Sequence, residues 1–118
     1  MEIQVAKRIH VIYATTISET ITSSAQVRGT GIARRSPEYI RNKIESGNAI
    51  IALDGDTFAG FCYIEAWGHE KYVAHSGLIV APEYRGIGLA KKIKTQIFKY
   101  TQQKYPTAKI FGITTGLP

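Results

Sequence analysis

The chain of 118 residues is long enough for one domain with a hydrophobic core and too short for a second. Hydrophobic residues make up 44% and charged residues 20%, which excludes the composition of a disordered chain. The net charge of +6 predicts an anionic partner, which could be nucleic acid, an acidic surface or a phosphate-rich cofactor. The longest apolar stretches fall far short of the ~20 residues of a membrane helix, and the charged N-terminus is no secretory signal.

Cysteine and histidine usage bounds the chemistry further. Cys62 is the only cysteine, which excludes an internal disulfide and fits a reducing cytoplasm. The three histidines are scattered along the chain, so we expect no metal site. No known nucleic-acid-binding motif accompanies the positive charge, and we therefore expect no nucleic-acid partner.

The first third of the chain predicts a strand and two helices. Residues 9–13 are β-branched and aromatic, which predicts an opening strand, and residues 17–27 form a polar segment that favours a helix. Residues 28–31 have the composition of a loop. A second helix is marked by Ser36 as N-cap, Pro37 at its first position and Gly47 as its stop. Its buried stripe is expected to contain Ile40 and Ile44.

Two hairpins and a long helix follow. The apolar runs 48–53 and 57–66 are joined by Asp54-Gly55-Asp56, which predicts an antiparallel hairpin. A second hairpin is predicted to turn at residues 67–71 and to continue as a strand over 72–80. A helix over residues 86–104 is indicated by apolar residues every three or four positions, and Pro106 ends it. Residues 108–115 predict the last strand.

The segment 77–92 is an apolar strand, a short loop with Pro82, and glycines that open the long helix. The first turn of a helix has backbone N–H groups without internal partners and a partial positive charge, so it can bind a pyrophosphate. At Gly86 and Gly88 a Cβ would stand between the backbone and the phosphate, and Ala90 is small enough for close packing against the strand. Arg85 adds a cation. The pattern matches neither a dinucleotide fingerprint nor a Walker loop.

The same residues resemble the signature of the GNAT superfamily of N-acetyltransferases. That signature is Gln or Arg, two residues, Gly, one residue, then Gly or Ala, and it is met by Arg85, Gly88 and Ala90. The pattern is also met by residues 28–33, but there the preceding segment is polar, and Pro37 would interrupt a helix growing out of it. We therefore interpret the upstream copy as a loop.

The resemblance covers residues 48–115 and implies an α/β (α+β) fold, with a mixed, mostly antiparallel sheet flanked by helices. It implies acetyl-CoA as co-substrate and direct transfer of the acetyl group to a primary amine of a small molecule or amino acid. The backbone of the signature strand would pair with the pantetheine arm, and the start of the helix would hold the pyrophosphate. The implied cofactor-binding residues are Leu78, Ile79, Val80, Arg85, Gly86, Ile87, Gly88, Leu89, Ala90 and Lys91.

The catalytic base departs from the family pattern. Many members carry a glutamate on the signature strand, at the position that Ala74 occupies here. If the second hairpin centres on its predicted turn, Glu65 lies opposite Ala74 and is the candidate base, with a solvated strand-end charge as the alternative. His75 alternates onto the other face, which favours a packed or surface histidine.

The resembling fold generally continues with another helix, which often supplies a tyrosine that protonates the thiolate, and with two closing strands. We therefore expect a single domain over residues 1–118 whose C-terminal part is missing after the fifth strand. Three explanations stay open: a shortened piece of a longer protein, a partner chain that completes the sheet, or a degenerate binding domain. The open edge after Thr115 is expected to support a homodimer.

Two short features bear on the acceptor. Residues 113–115 are similar to the corresponding strand end of N-acetylglutamate synthases, and Arg34 and Arg35 would suit a carboxylate, although paired arginines are more often only solvated. The alternative to an enzyme is a non-catalytic domain of the same fold that binds acyl-CoA or another protein. The absent glutamate motivates that alternative.

Overall fold

The computed structural model of the protein describes residues 1–28 and 36–112. Within them the chain forms five strands and three α-helices. The strands are β1 (Glu2–Val5), β2 (Ala49–Asp54), β3 (Thr57–Trp67), β4 (Tyr72–Val80) and β5 (Lys109–Gly112). The helices are α1 (Ala14–Arg28), α2 (Pro37–Glu45) and α3 (Leu89–Lys104).

The strands form one sheet in the order β1-β2-β3-β4-β5. Strands β1 to β4 pair antiparallel with one another, and β5 pairs parallel with β4. Helices α1 and α2 cover one face, where Ile17 and Ile40 pack over Phe61. Helix α3 covers the other, where Ile93 and Ile97 pack over the sheet. The predicted mixed, mostly antiparallel sheet flanked by helices is confirmed.

The predicted opening strand over residues 9–13 is wrong. Residues Arg8–Tyr13 form a 3-10 helix, and the first strand is Glu2–Val5, which already occupies the edge of β2. Local hydrogen bonds stabilise the turn: the His10 N–H donates to the Lys7 carbonyl oxygen, and the Lys7 N–H donates to His10 Nδ1, both at 2.8 Å. The β-branched Ile9 and Ile12 remain exposed, because no strand is left for them to pair with.

The predictions for both hairpins and for α2 are confirmed. Ser36 Oγ accepts the Tyr39 N–H at 3.1 Å, and Ile40 and Ile44 are buried. The polar helix predicted over residues 17–27 lies inside α1. Helix α3 begins at Leu89, three residues later than predicted, because Gly86 and Gly88 adopt positive φ angles that an α-helix does not allow.

The last predicted strand is confirmed over Lys109–Gly112. Its continuation to residue 115, the proposed edge after Thr115, the upstream glycine loop from residue 29 and the arginine pair at 34 and 35 lie outside the described residues.

The C-terminal end of α3 is attached to the turn between α2 and β2. Lys104 Nζ donates to the Gly47 carbonyl oxygen at 3.1 Å and to Asn48 Oδ1 at 2.7 Å. The Tyr100 hydroxyl donates to the same Gly47 oxygen at 2.5 Å. Burial lowers the pKa of the Lys104 ammonium, although nearby Glu70 acts in the opposite direction. These contacts satisfy the Gly47 carbonyl oxygen and the Asn48 side-chain oxygen in the turn that follows α2.

Candidate functional site

Strand β4 contains a bulge at Gly77. Phe61 pairs with Ile79 and Tyr63 pairs with Ser76, so two residues of β4 stand opposite Cys62 alone. Gly77 has φ +65°, and a Cβ built there would lie 2.1 Å from Cε1 of the buried Tyr63 ring. Glycine is therefore required at the bulge on two counts, backbone conformation and space.

The bulge lies just beyond the described pairing of β4 with β5. Their described pairing runs from Tyr72 with Lys109 to His75 with Gly112, so the part of β4 after His75 has no described neighbour on that side. The Ala81 N–H donates to the Ala59 carbonyl oxygen at 2.8 Å, which fixes the alternation of the ladder with β3. By that alternation Ile79 turns its backbone groups toward β3, whereas Leu78 and Val80 turn theirs toward the opposite edge of β4.

A short 3-10 turn, Pro82–Tyr84, connects this edge to α3. The Tyr84 hydroxyl donates to Asp54 Oδ2 at 2.9 Å and so attaches the turn to the first hairpin. That hydrogen bond, together with burial and the negative charge of Asp54, raises the pKa of Tyr84. Arg85 Nε donates to the Val80 carbonyl oxygen at 3.1 Å. The arginine side chain therefore lies along this edge of β4.

The start of α3 has the features of an anion site. Gly86 and Gly88 have φ of +83° and +79°, and a Cβ built at either would meet nothing within 4 Å. The Lys92 N–H makes the first helical bond, to the Gly88 carbonyl oxygen at 3.3 Å, so the amides of residues 89–91 precede the helical ladder. Gly88 offers no capping side chain, and the first turn contains no acidic residue. The first-turn amides and the positive end of the helix dipole therefore lie next to two glycines whose Cβ positions are open among the described residues.

Glu65 lies directly opposite Ala74, as predicted from the hairpin. The Tyr39 hydroxyl donates to Glu65 Oε1, and Lys43 Nζ lies 3.2 Å from Glu65 Oε2. The Lys43 ammonium also donates to the Ile64 carbonyl oxygen at 2.8 Å. The Glu65 side chain is 38% exposed. Glu65 is therefore a half-buried carboxylate that accepts from Tyr39 and Lys43 among the described residues, which differs from the alternative of a solvated strand-end charge.

The residues around Glu65 were not predicted from the sequence. Tyr39 and Lys43 come from α2, and the buried Tyr63 ring packs edge-on against Tyr39 with centroids 5.6 Å apart. The Ser76 hydroxyl donates to the Tyr63 hydroxyl at 3.4 Å, which brings this cluster up to the bulge. Helical i, i+4 spacing places Tyr39 and Lys43 on one face, and period-two alternation does the same for Tyr63 and Glu65. These two spacings are the sequence features from which the cluster around Glu65 could have been predicted.

His75 lies on the other face of β4, as predicted, and packs under α3. His75 Nε2 lies 2.8 Å from Thr101 Oγ1, which itself donates to the Ile97 carbonyl oxygen at 2.7 Å. Because the hydroxyl proton is used in that bond, the His75 Nε2–H must be the donor to Thr101. Burial lowers the pKa of His75.

Lowering the pH from about 7 to about 5 is expected to reduce the Tm. Burial lowers the pKa of His10 and His75 below the ordinary 6.5, and the nearby Lys7 charge also lowers that of His10. The unfolded chain therefore takes up protons first, so stability falls as the pH drops from 6.5 toward the folded-state values. Thermal unfolding across this range measures it. His10→Asn, whose amide oxygen can still accept the Lys7 N–H, should show a flatter dependence, and an equally steep one would contradict the assignment.

The described residues contain neither a cluster of metal-ligating side chains nor a helix able to span a membrane. Across residues 1–28 and 36–112, no three side chains with metal-ligating groups come together. Within the same part of the chain, no helix combines the length and apolar character needed to cross a membrane.

Comparison with known proteins identifies the family. The model of the acetyltransferase (GNAT) family matches residues 19–114, which is most of the chain. A search of curated proteins gave no match. Among the solved structures that share the fold, three are described below, each at less than 25% sequence identity.

N-acetylglutamate synthase from Neisseria gonorrhoeae, complexed with coenzyme A and N-acetyl-glutamate, is 18% identical with a TM-score of 0.77, covering 98% of this chain and 25% of that one. Rv2747 from Mycobacterium tuberculosis, in complex with CoA and NLQ, is 11% identical with a TM-score of 0.74, covering 98% and 65%. A Staphylococcus aureus protein described as a GNAT family acetyltransferase is 18% identical with a TM-score of 0.72, covering 96% and 100%. The chain thus spans less than two thirds of two of these proteins. With the family model matching most of its length, the chain belongs to the GNAT family of acetyltransferases.

Proposed function

We propose that this chain transfers the acetyl group of acetyl-CoA to the primary amine of a small molecule or amino acid by direct attack. The observation that carries the proposal is the start of α3, where the first-turn amides precede the helical ladder behind two positive-φ glycines, beyond the described pairing of β4 with β5. Two solved relatives of the same fold contain CoA. The amino-acid product in the Neisseria synthase supports an amino-acid amine as one acceptor class.

The cofactor residues fall into two groups in this proposal. Along β4, the outward backbone groups of Leu78 and Val80 bind the pantetheine arm, and Ile79 keeps the strand paired with β3. Arg85 exchanges its bond to the Val80 carbonyl for a bond to phosphate, because a charged acceptor binds a guanidinium more strongly. The remaining predicted residues, Gly86, Ile87, Gly88, Leu89, Ala90 and Lys91, supply backbone amides to the pyrophosphate.

The transfer step requires one proton acceptor. The ammonium form of the amine first gives one proton to solvent. The neutral nitrogen then forms a bond to the thioester carbonyl carbon and loses a second proton to the Glu65 carboxylate. The carbon–sulfur bond then breaks, and the CoA thiolate leaves and takes a proton from solvent. Glu65 must loosen its contacts with Lys43 and Tyr39 to accept the proton, which makes these two residues part of the proposed site.

Acetyl-CoA is expected to raise the Tm of the protein. At about 100 times its Kd, a ligand that binds only the folded state adds about 2.7 kcal/mol, which corresponds to a rise of roughly 10 °C. Gly88→Glu should remove the rise, because its side chain fills the cradle and repels phosphate. Gly55→Glu is the matched control, since Gly55 also has a positive φ and open space around it but lies in the first hairpin turn. Equal ligand shifts in both variants would overturn the cofactor site.

A second function is a non-catalytic domain that binds acyl-CoA or a protein. It is favoured by Ala74 at the family's glutamate position and by the engagement of Glu65 with Lys43. Release of CoA thiol in the presence of an amine panel distinguishes the two functions. Burial raises the pKa of Cys62 to about 12, so the protein's own thiol will not contribute to the signal. Thiol release above the rate without amine would exclude the non-catalytic function.

A further inference from the structure

We propose that Trp67, Tyr72 and Phe111 form an aromatic platform that binds a flat aromatic ring on the acceptor, so that the preferred substrates are amines carrying such a ring. The proposal rests on the proposed function and specifies its acceptor. It assigns the three residues a role in substrate selection, without contact with the reacting atoms.

The three rings come from three different strands and contact one another. Trp67 stacks on Tyr72 with centroids 5.7 Å apart and on Phe111 with centroids 6.0 Å apart. Tyr72 and Phe111 are 6.3 Å apart. All three are exposed, Trp67 by 48%, Tyr72 by 38% and Phe111 by 47%. Stacked rings with exposed surface present both apolar area and the electron-rich faces that another ring or its edge prefers.

The strand register places the platform beside Glu65. Glu65 pairs with Ala74, which pairs with Phe111, and these three residues form one row across the sheet. Trp67 and Tyr72 form the adjacent row. Because side chains two residues apart on a strand share a face, Trp67 lies on the same face as Glu65, about 7 Å away along β3.

The distance of about 7 Å between Glu65 and Trp67 sets the length of ligand that can reach both residues. An amine whose nitrogen lies near the Glu65 carboxylate has its ring over the platform when two or three bonds separate the ring from the nitrogen. The carboxylate complements the amine, which arrives as a cation, and the platform complements the ring. An aliphatic group of the same size gains burial but lacks the stacking geometry, so the platform discriminates between the two.

Trp67 is the only tryptophan in the chain, so its fluorescence reports on the platform directly. Titration of the protein with 2-phenylethylamine, both with and without CoA, is expected to give a saturable change in emission. The size-matched 2-cyclohexylethylamine should bind about 3- to 10-fold more weakly, as expected for a lost aromatic contact. Phe111→Leu should bring the two affinities together. Phe98→Leu, at an exposed phenylalanine of α3 on the other side of the sheet, should leave them apart.

Equal affinities for the two amines in the wild type, or no saturable change with either, would overturn the platform. Its failure is distinguishable from failure of the proposed function, because the Tm rise with acetyl-CoA does not involve Trp67. A Tm rise without ring preference removes the platform and leaves the cofactor site. A ring preference without any Tm rise supports the platform as a binding site and removes the acetyl-CoA function.

Discussion

Replacing Gly77 with alanine is expected to lower the free energy of unfolding by about 2–5 kcal/mol, a large part of the stability of a small domain. Two effects add. The positive φ at the bulge disfavours any side chain, and the new Cβ would overlap the Tyr63 ring at 2.1 Å. That ring is fully buried between α2 and the sheet, so it has little room to move. Chemical denaturation measured against the wild type gives the change.

Gly55→Ala separates the two effects. Gly55 has φ +61° and nothing within 4 Å of the added Cβ, so the change contains only the backbone term, about 1–2 kcal/mol. A double-mutant cycle with Tyr63→Leu tests the overlap, since a smaller side chain at 63 should reduce the cost of Gly77→Ala. If Gly77→Ala costs no more than Gly55→Ala, the bulge does not depend on the Tyr63 contact.

Glu65→Gln is expected to reduce kcat by about 10²- to 10³-fold, because the amide cannot accept the proton of the attacking amine. The glutamine keeps the shape of the side chain and an acceptor for the Tyr39 hydroxyl, so the fold should persist. The acidic limb of the pH dependence of kcat/KM, which a general base produces, should disappear together with the rate. Release of CoA thiol with a preferred amine provides the measurement.

Lys43→Met is the control that separates proton transfer by Glu65 from a structural role of the Lys43–Glu65 ion pair. It removes the ion pair with Glu65 and leaves the carboxylate in place. If Glu65 is the base, the rate should change only a few-fold, and the acidic limb should remain. Comparable losses in Lys43→Met and Glu65→Gln would mean that the pair acts as a structural unit, and the base would have to lie elsewhere.

Elements that begin or end at capping or turn residues were predictable from the sequence. Ser36 and Pro37 mark the start of α2, and Asp54-Gly55-Asp56 marks the first hairpin, because caps and turns depend on residues adjacent in the chain. The strand prediction over residues 9–13 failed because β-propensity acts only where a neighbouring strand is available. Here β1 occupies that edge, and the His10 side chain stabilises a turn instead.

The candidate site was also predictable only in part. The glycines before α3 and the position of Glu65 opposite Ala74 follow from short spacings and from hairpin register. The partners of Glu65 do not, because Tyr39 and Lys43 are more than twenty residues away and reach it only through packing of α2 on the sheet. The bulge at Gly77 was also not predicted, since the reason for glycine there is the ring of Tyr63 on the neighbouring strand.

Helix α3 is held differently at its two ends. Its C-terminal end is held to the turn between α2 and β2 through Lys104 and Tyr100, whereas its first turn follows two glycines and has no described capping side chain. Because the C-terminal end of α3 is held by these hydrogen bonds, we expect any shift of the helix on binding a diphosphate to occur mainly at the glycine end. Hydrogen exchange at the amides of residues 89–91 would then slow on ligand addition, while exchange in the last turn would stay constant.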